Sequence, residues 1–119
     1  MTFENFRDEV EHFRSHLATE NLNIIHMLLG IQTELGELMD VYKKELAYGK
    51  EPDMVNVLEE SGDMLFYVAG LLNVLKLDTK SVLERNVAKL SARYPGKKFS
   101  FEKALNRDLD KERKILEGE

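Results

Sequence analysis

The sequence predicts an all-α fold, a four- to five-helix bundle completed by oligomerisation, and three observations carry that expectation. Apolar residues recur at alternating spacings of three and four along most of the chain, the period of a helix with one buried face. Helix-stopping residues fall between these runs, at Gly49 and Pro52 and again at Tyr94-Pro95-Gly96. From Met64 to Leu75 the pattern is apolar on almost every side, more than a chain this short is expected to cover alone. A length of 119 residues fits a single domain spanning 1–119.

A first helix is expected from about Thr2, its N-cap, to Leu17, with Phe3, Phe6, Val10, Phe13 and Leu17 on one face. That aromatic stripe has the spacing of core packing; base stacking is the sharper alternative. His12 and His16 lie beside it with no acidic motif and read as surface histidines. Asn21 is the expected cap of a second helix, about Leu22 to Tyr48. Its seam is Ile24, Leu28, Ile31, Leu35, Leu38 and Tyr42, and His26 sits at the core edge. Gly49 stops it, and Lys50 to Asp53 turn the chain into a third helix reaching about Lys76. Asp78 or Thr79 caps a fourth, ending near Arg93 before Pro95 and Gly96. Ser100 caps a last one, Phe101 to Leu116, a charged docking helix anchored by Ala104, Leu105, Leu109 and Leu116.

Composition narrows the function. The chain has no cysteine, which removes disulfides and thiolate chemistry. Its start lacks the basic and apolar runs of a secretory leader, and its most apolar stretch is shorter than the roughly 20 residues of a membrane span. A cytoplasmic location is therefore expected. The net charge of −5 is uneven: 5 basic and 14 acidic residues stand up to Asp63, and 12 and 8 follow it. An acidic half suited to cations and a basic half suited to phosphate fit a metal–nucleotide ligand; the plain alternative is uneven surface charge.

The chemistry concentrates between Glu34 and Asp63. Glu34-Leu35-Gly36-Glu37 and Glu60-Ser61-Gly62-Asp63 each place two carboxylates on one helical face inside an apolar pattern. Carboxylates bordering a core must be paired, hydrogen-bonded or metal-bound. Four of them converging from two antiparallel helices repel unless a cation neutralises them. Oxygen-only ligation suits Mg²⁺, with Mn²⁺ as a substitute. Downstream, Asn86, Lys89 and Arg93 put one amide and two cations on a shared face.

The two acidic pairs, in this order, resemble the signature of the all-α nucleoside triphosphate pyrophosphohydrolases, the MazG-like superfamily. Tyr67, four residues after the motif aspartate, matches residues common in that group. The run Asn86-x-x-Lys89-x-x-x-Arg93-Tyr94-Pro95 is similar to its phosphate-contacting helix. The motif-bearing core is about 22–95, and the segment about 100–117 carries no motif. The resemblance implies an all-α bundle of the NTP pyrophosphatase type, acting as a homodimer or homotetramer. It implies hydrolysis of a nucleoside triphosphate to the monophosphate and pyrophosphate. It further implies Mg²⁺ on Glu34, Glu37, Glu60 and Asp63, with Tyr67, Asn86, Lys89 and Arg93 binding substrate. The catalytic base is unassigned, with Glu59, just outside the motif, as its candidate. Some deoxycytidine- and deoxyuridine-type relatives use tryptophan around the base, and this chain has none, so base and sugar preference stay open.

Two other classes compete. A non-catalytic helical interaction module explains the apolar third helix but not two acidic pairs interrupting apolar faces. A nucleic-acid binder would use the basic half, which is interspersed with acids and lacks a binding motif. A di-iron bundle is disfavoured because neither pair is Glu-x-x-His.

Overall fold

A computed structural model of the chain describes residues 1–118 and leaves Glu119 outside the described residues. Among those residues all regular structure is helical, in six helices. The chain divides into two compact units, one from Met1 to Leu77 and one from Asp78 onward. No described helix is long and apolar enough to cross a membrane.

The first unit holds α1 (Phe3–Phe13), α2 (Glu20–Tyr48) and α3 (Met54–Leu75). Thr2 caps α1 in a reciprocal box with Asn5, each side chain accepting from the other's backbone N–H. α1 stops at Phe13, short of the expected Leu17, because Arg14 turns extended and its guanidinium donates to Glu11 and to the Ser15 carbonyl. Phe13, expected to face inward, is therefore 75% exposed. Leu17 leaves α1 altogether; its backbone N–H donates to Asn23 Oδ1 at 2.8 Å. Thr19, not Asn21, caps α2: its hydroxyl accepts from the Leu22 N–H, so the helix begins two residues before Leu22.

Gly49 closes α2 in the left-handed region, at φ 67°, and Asp53 caps α3. α3 ends on Lys76, also left-handed at φ 56°. α2 and α3 pack antiparallel, and α1 lies on α3. Arg7 fastens that contact: buried, it donates from Nε to Asn73 Oδ1 and from Nη1 to the Leu77 carbonyl, both at 2.7 Å. Asn73 returns a bond to the Arg7 carbonyl at 2.9 Å.

In the apolar run from Met64 to Leu75, Ala69, Gly70 and Val74 are buried within this unit, Leu65 and Leu75 are exposed, and the other residues are half-buried. The larger exposed apolar surface is elsewhere, on α2 at Ile25, Leu29 and Met39 and on the start of α3 at Met54, Val55 and Leu58.

The second unit contains α4 (Thr79–Arg93), α5 (Phe101–Leu105) and α6 (Leu109–Leu116). The single last helix expected is broken in two. Asn106 bonds back to the Glu102 carbonyl, and the Asp108 carboxylate accepts from the Lys111 N–H as a fresh N-cap. Short polar side chains thus took over backbone groups that a continuous helix needs. α6 packs on α4, and Arg85 donates to the Leu116 carbonyl at 3.1 Å.

Candidate metal centre

α2 and α3 meet in a fixed register. Met27 faces Gly70, Gly30 faces Tyr67, and Glu37 faces Glu60, the steps of three and seven on one helix matched by equal and opposite steps on the other. Two glycines make the approach possible. A Cβ on Gly30 would overlap the Tyr67 ring, and one on Gly70 would overlap the Met27 sulfur. The sequence reading passed over both; small residues on facing helical seams are the signal that marks them.

One carboxylate oxygen from each of Glu34, Glu37 and Glu60 lies within 4.8 Å of the other two. Glu60 is 7% exposed, Glu34 is half-buried and Glu37 is at the surface. Oε2 of Glu34 and Oε2 of Glu60 are both buried with no hydrogen-bond partner. The electrostatics agree with this crowding. Glu60 is pushed above its ordinary value by the facing Glu34 carboxyl first, then by burial, with Glu37 partly offsetting. Glu37 is pushed up by its contact with Glu60, then by Glu60's charge, burial and the charge of Asp63. Such a set must share a proton or accept a cation, and its hard oxygen donors fit a divalent ion such as Mg²⁺.

The other expected site residues fall in three groups. Asp63 is half-buried and close enough for its charge to act on Glu37, but it is not among the three acids whose oxygens converge. Glu59 is exposed, and its charge adds to the pressure on Glu60. Tyr67 packs on Gly30, with His26 edge-on at 6.0 Å and Phe66 edge-on at 5.2 Å. His26 Nδ1 is buried there without a partner.

Asn86, Lys89 and Arg93 are on α4 in the second unit: Asn86 exposed, Lys89 and Arg93 half-buried. Arg93 is already engaged, donating from Nη2 to Glu112 Oε1 at 2.6 Å. Arg107 joins from the α5–α6 break, reaching both Glu112 oxygens at 3.0 and 3.1 Å. The two guanidiniums, Arg107 foremost, lower the Glu112 carboxyl to about 2. Glu112 escaped the sequence reading because a buried acid in a charged helix has no periodic signature; only its arginine partners, 5 and 19 residues back, distinguish it.

A family model described as the MazG nucleotide pyrophosphohydrolase domain matches residues 23–99, which span α2, α3 and α4. No curated protein matches the chain, and no solved structure does.

Proposed function

The chain belongs to the MazG nucleotide pyrophosphohydrolase family, and from that premise we propose that it hydrolyses a nucleoside triphosphate, ribo- or deoxyribo-, to the monophosphate and pyrophosphate with Mg²⁺ as cofactor. The observation that carries this reading is the convergence of Glu34, Glu37 and Glu60, with two buried oxygens left unpartnered. Those three acids, joined by Asp63 from the next turn of α3, would hold the ion. Bound there, a divalent cation neutralises phosphate oxygens and lowers the pKa of a coordinated water.

The protein's own groups do the rest. Glu60, fixed by burial, sets the position of the charge; Glu37, at the surface, faces incoming phosphate. Tyr67, wedged against Gly30, offers a fixed aromatic wall beside the acids. Asn86, Lys89 and Arg93 are the proposed phosphate contacts on α4, and Arg93 must loosen its hold on Glu112 to serve. Glu59, exposed and beside Glu60, is the candidate base. Apolar side chains exposed on α2, among them Leu29 and Met39, support a homodimer or homotetramer. The role is housekeeping or regulation of the cytoplasmic nucleotide pool.

Incubation with Mg²⁺ and a panel of nucleoside triphosphates in ¹⁸O-labelled water, with products separated by chromatography, tests the reading. Monophosphate and pyrophosphate are expected. Release of labelled orthophosphate with a diphosphate would mean attack at the terminal phosphate and a different enzyme.

A further inference from the structure

We propose that the second unit binds a nucleoside monophosphate, without a divalent ion, in a pocket between α4 and the segment that follows it. The base lies on the rings of Tyr94 and Phe99, and Lys97 and Lys98 hold the phosphate. This second nucleotide site goes beyond the pyrophosphohydrolase reading and uses none of the acids of α2 and α3.

The pocket arises from the way α4 stops. Tyr94 ends the helix, and the Lys97 N–H donates to the Tyr94 carbonyl at 2.8 Å, closing a tight turn over Pro95 and Gly96. Lys97 then takes the left-handed conformation, at φ 55°. The chain doubles back, and Phe99 meets Tyr94 with ring centroids 5.8 Å apart. A cavity of about 340 Å³ results, lined by Val87, Leu90, Ser91 and Tyr94 from α4 and by Lys97, Lys98 and Phe99 from the returning chain. Sites for small organic ligands start at about 300 Å³.

The lining is mostly apolar and aromatic, with two ammonium groups, one hydroxyl and no acid among the described residues. Lys97 and Lys98 are exposed, and neither is paired with a carboxylate among those residues. The rings are supported from outside the pocket. The Arg93 guanidinium lies 5.7 Å from the Tyr94 centroid, and Phe101 meets Phe99 edge-on at 5.1 Å. Phe99 is nonetheless 62% exposed, so much of its ring stays open to a flat ligand.

An aromatic wall beside unpaired ammonium groups fits a molecule that is flat at one end and anionic at the other. A nucleobase carrying one phosphate is both, and stacking accepts any base because each presents a π-face. The charge matches too: two lysines balance the dianion of a single phosphate. A triphosphate carries more charge than the pair can balance and calls for a metal, which a lining without acids does not hold.

Calorimetric titration of the full chain with adenosine monophosphate in excess chelator is the test, because without metal the acids of α2 and α3 repel phosphate. Wild type is compared with Phe99→Leu, which keeps apolar bulk and removes the ring, and with Lys97→Gln and Lys98→Gln combined. Lys103→Gln, exposed and outside the pocket, is the control for general charge. Saturable binding is expected for wild type and Lys103→Gln. Affinity should fall tenfold or more in Phe99→Leu and in the double lysine variant, with unchanged circular dichroism. Adenosine and ribose 5-phosphate should each bind wild type at least tenfold more weakly than the nucleotide. A folded wild type that does not bind the nucleotide, or either pocket variant binding it as wild type does, overturns the site. If wild type fails to bind and Phe99→Leu loses oligomeric mass by light scattering, the rings belong to an interface with a second copy of the chain. Triphosphate turnover in Mg²⁺ is measured separately, so the failure of one reading is told apart from the failure of the other.

Discussion

The ring of Tyr67 rests against the backbone of Gly30, so close that no side chain fits between α2 and α3 at that level. The contact lies one turn from Glu34 on one helix and from Asp63 on the other, so it sets the spacing at which the acids meet. Replacing Gly30 by alanine must push the helices apart or turn the ring. Overpacking of this kind costs about 1–3 kcal/mol. Gly62 is a helical glycine with nothing within 4 Å of a built Cβ, and Gly62→Ala should instead stabilise by about 0.5–1 kcal/mol. Urea melts of the two variants should therefore move in opposite directions. Two shifts of the same sign would remove the close approach as an explanation.

The acids predict a pH dependence for the metal-free protein. Glu60 and Glu37 have folded-state values raised above the ordinary 4.5. A raised value means the unfolded chain ionises first, so their contribution is fully present below 4.5 and is lost as pH rises through the folded value. The thermal midpoint in chelator should thus fall on that side of the acid range, and Glu60→Gln should flatten the fall. Saturating Mg²⁺ should raise the wild-type midpoint at neutral pH and leave the Glu60→Gln midpoint nearly unmoved.

Glu112 gives the opposite sign. Its value is lowered to about 2, so the stability it supplies is present above 4.5 and is lost as pH falls toward 2. Glu112→Gln keeps the shape but leaves Arg93 and Arg107 facing a neutral amide. Amides of residues 109–116 should then exchange with deuterium faster at neutral pH, while those of α2 keep their protection. Equal protection of α6 in both proteins would mean that the arginines do not hold it.

Two substitutions address turnover. Asp63→Asn should abolish Mg²⁺-dependent hydrolysis with the helices intact by circular dichroism. Lys89→Ala should cost about 2–4 kcal/mol of transition-state stabilisation, on the scale of losing one charge-stabilising donor. Steady-state rates at saturating and limiting Mg²⁺ check both; near-normal activity of Asp63→Asn at limiting Mg²⁺ would take that residue out of the metal set.

The helical class, four of the helices and three of the converging acids were legible in the sequence because each follows from local spacing. Glu34 and Glu37 stand one helical turn apart inside an apolar face of α2, Glu60 stands inside one of α3, and antiparallel pairing of the two adjacent helices brings them together. Helix ends were less legible where two capping residues competed, as Thr19 and Asn21 did, or where a side chain took a backbone group, as Asp108 did. Gly30 and Gly70 were illegible for another reason. Their value lies in what sits across from them, and Tyr67 and Met27 are 37 and 43 residues away. The same holds for Glu112, whose partner Arg93 is 19 residues back.

The register of α2 against α3 also fixes an order of events in folding. The turn at residues 49–53 is the closed end of the hairpin, and the shortest loops, which are entropically the cheapest to close, form next to it. Zipping from there brings Glu37 to Glu60 before Gly30 can reach Tyr67 or Met27 can reach Gly70. The folding chain thus meets its like charges before the close packing beyond them can compensate. Midway closure becomes an electrostatic barrier, and an ion captured there lowers it. In stopped-flow experiments, refolding should accelerate with Mg²⁺, in proportion to how fully the carboxylates have met in the transition state.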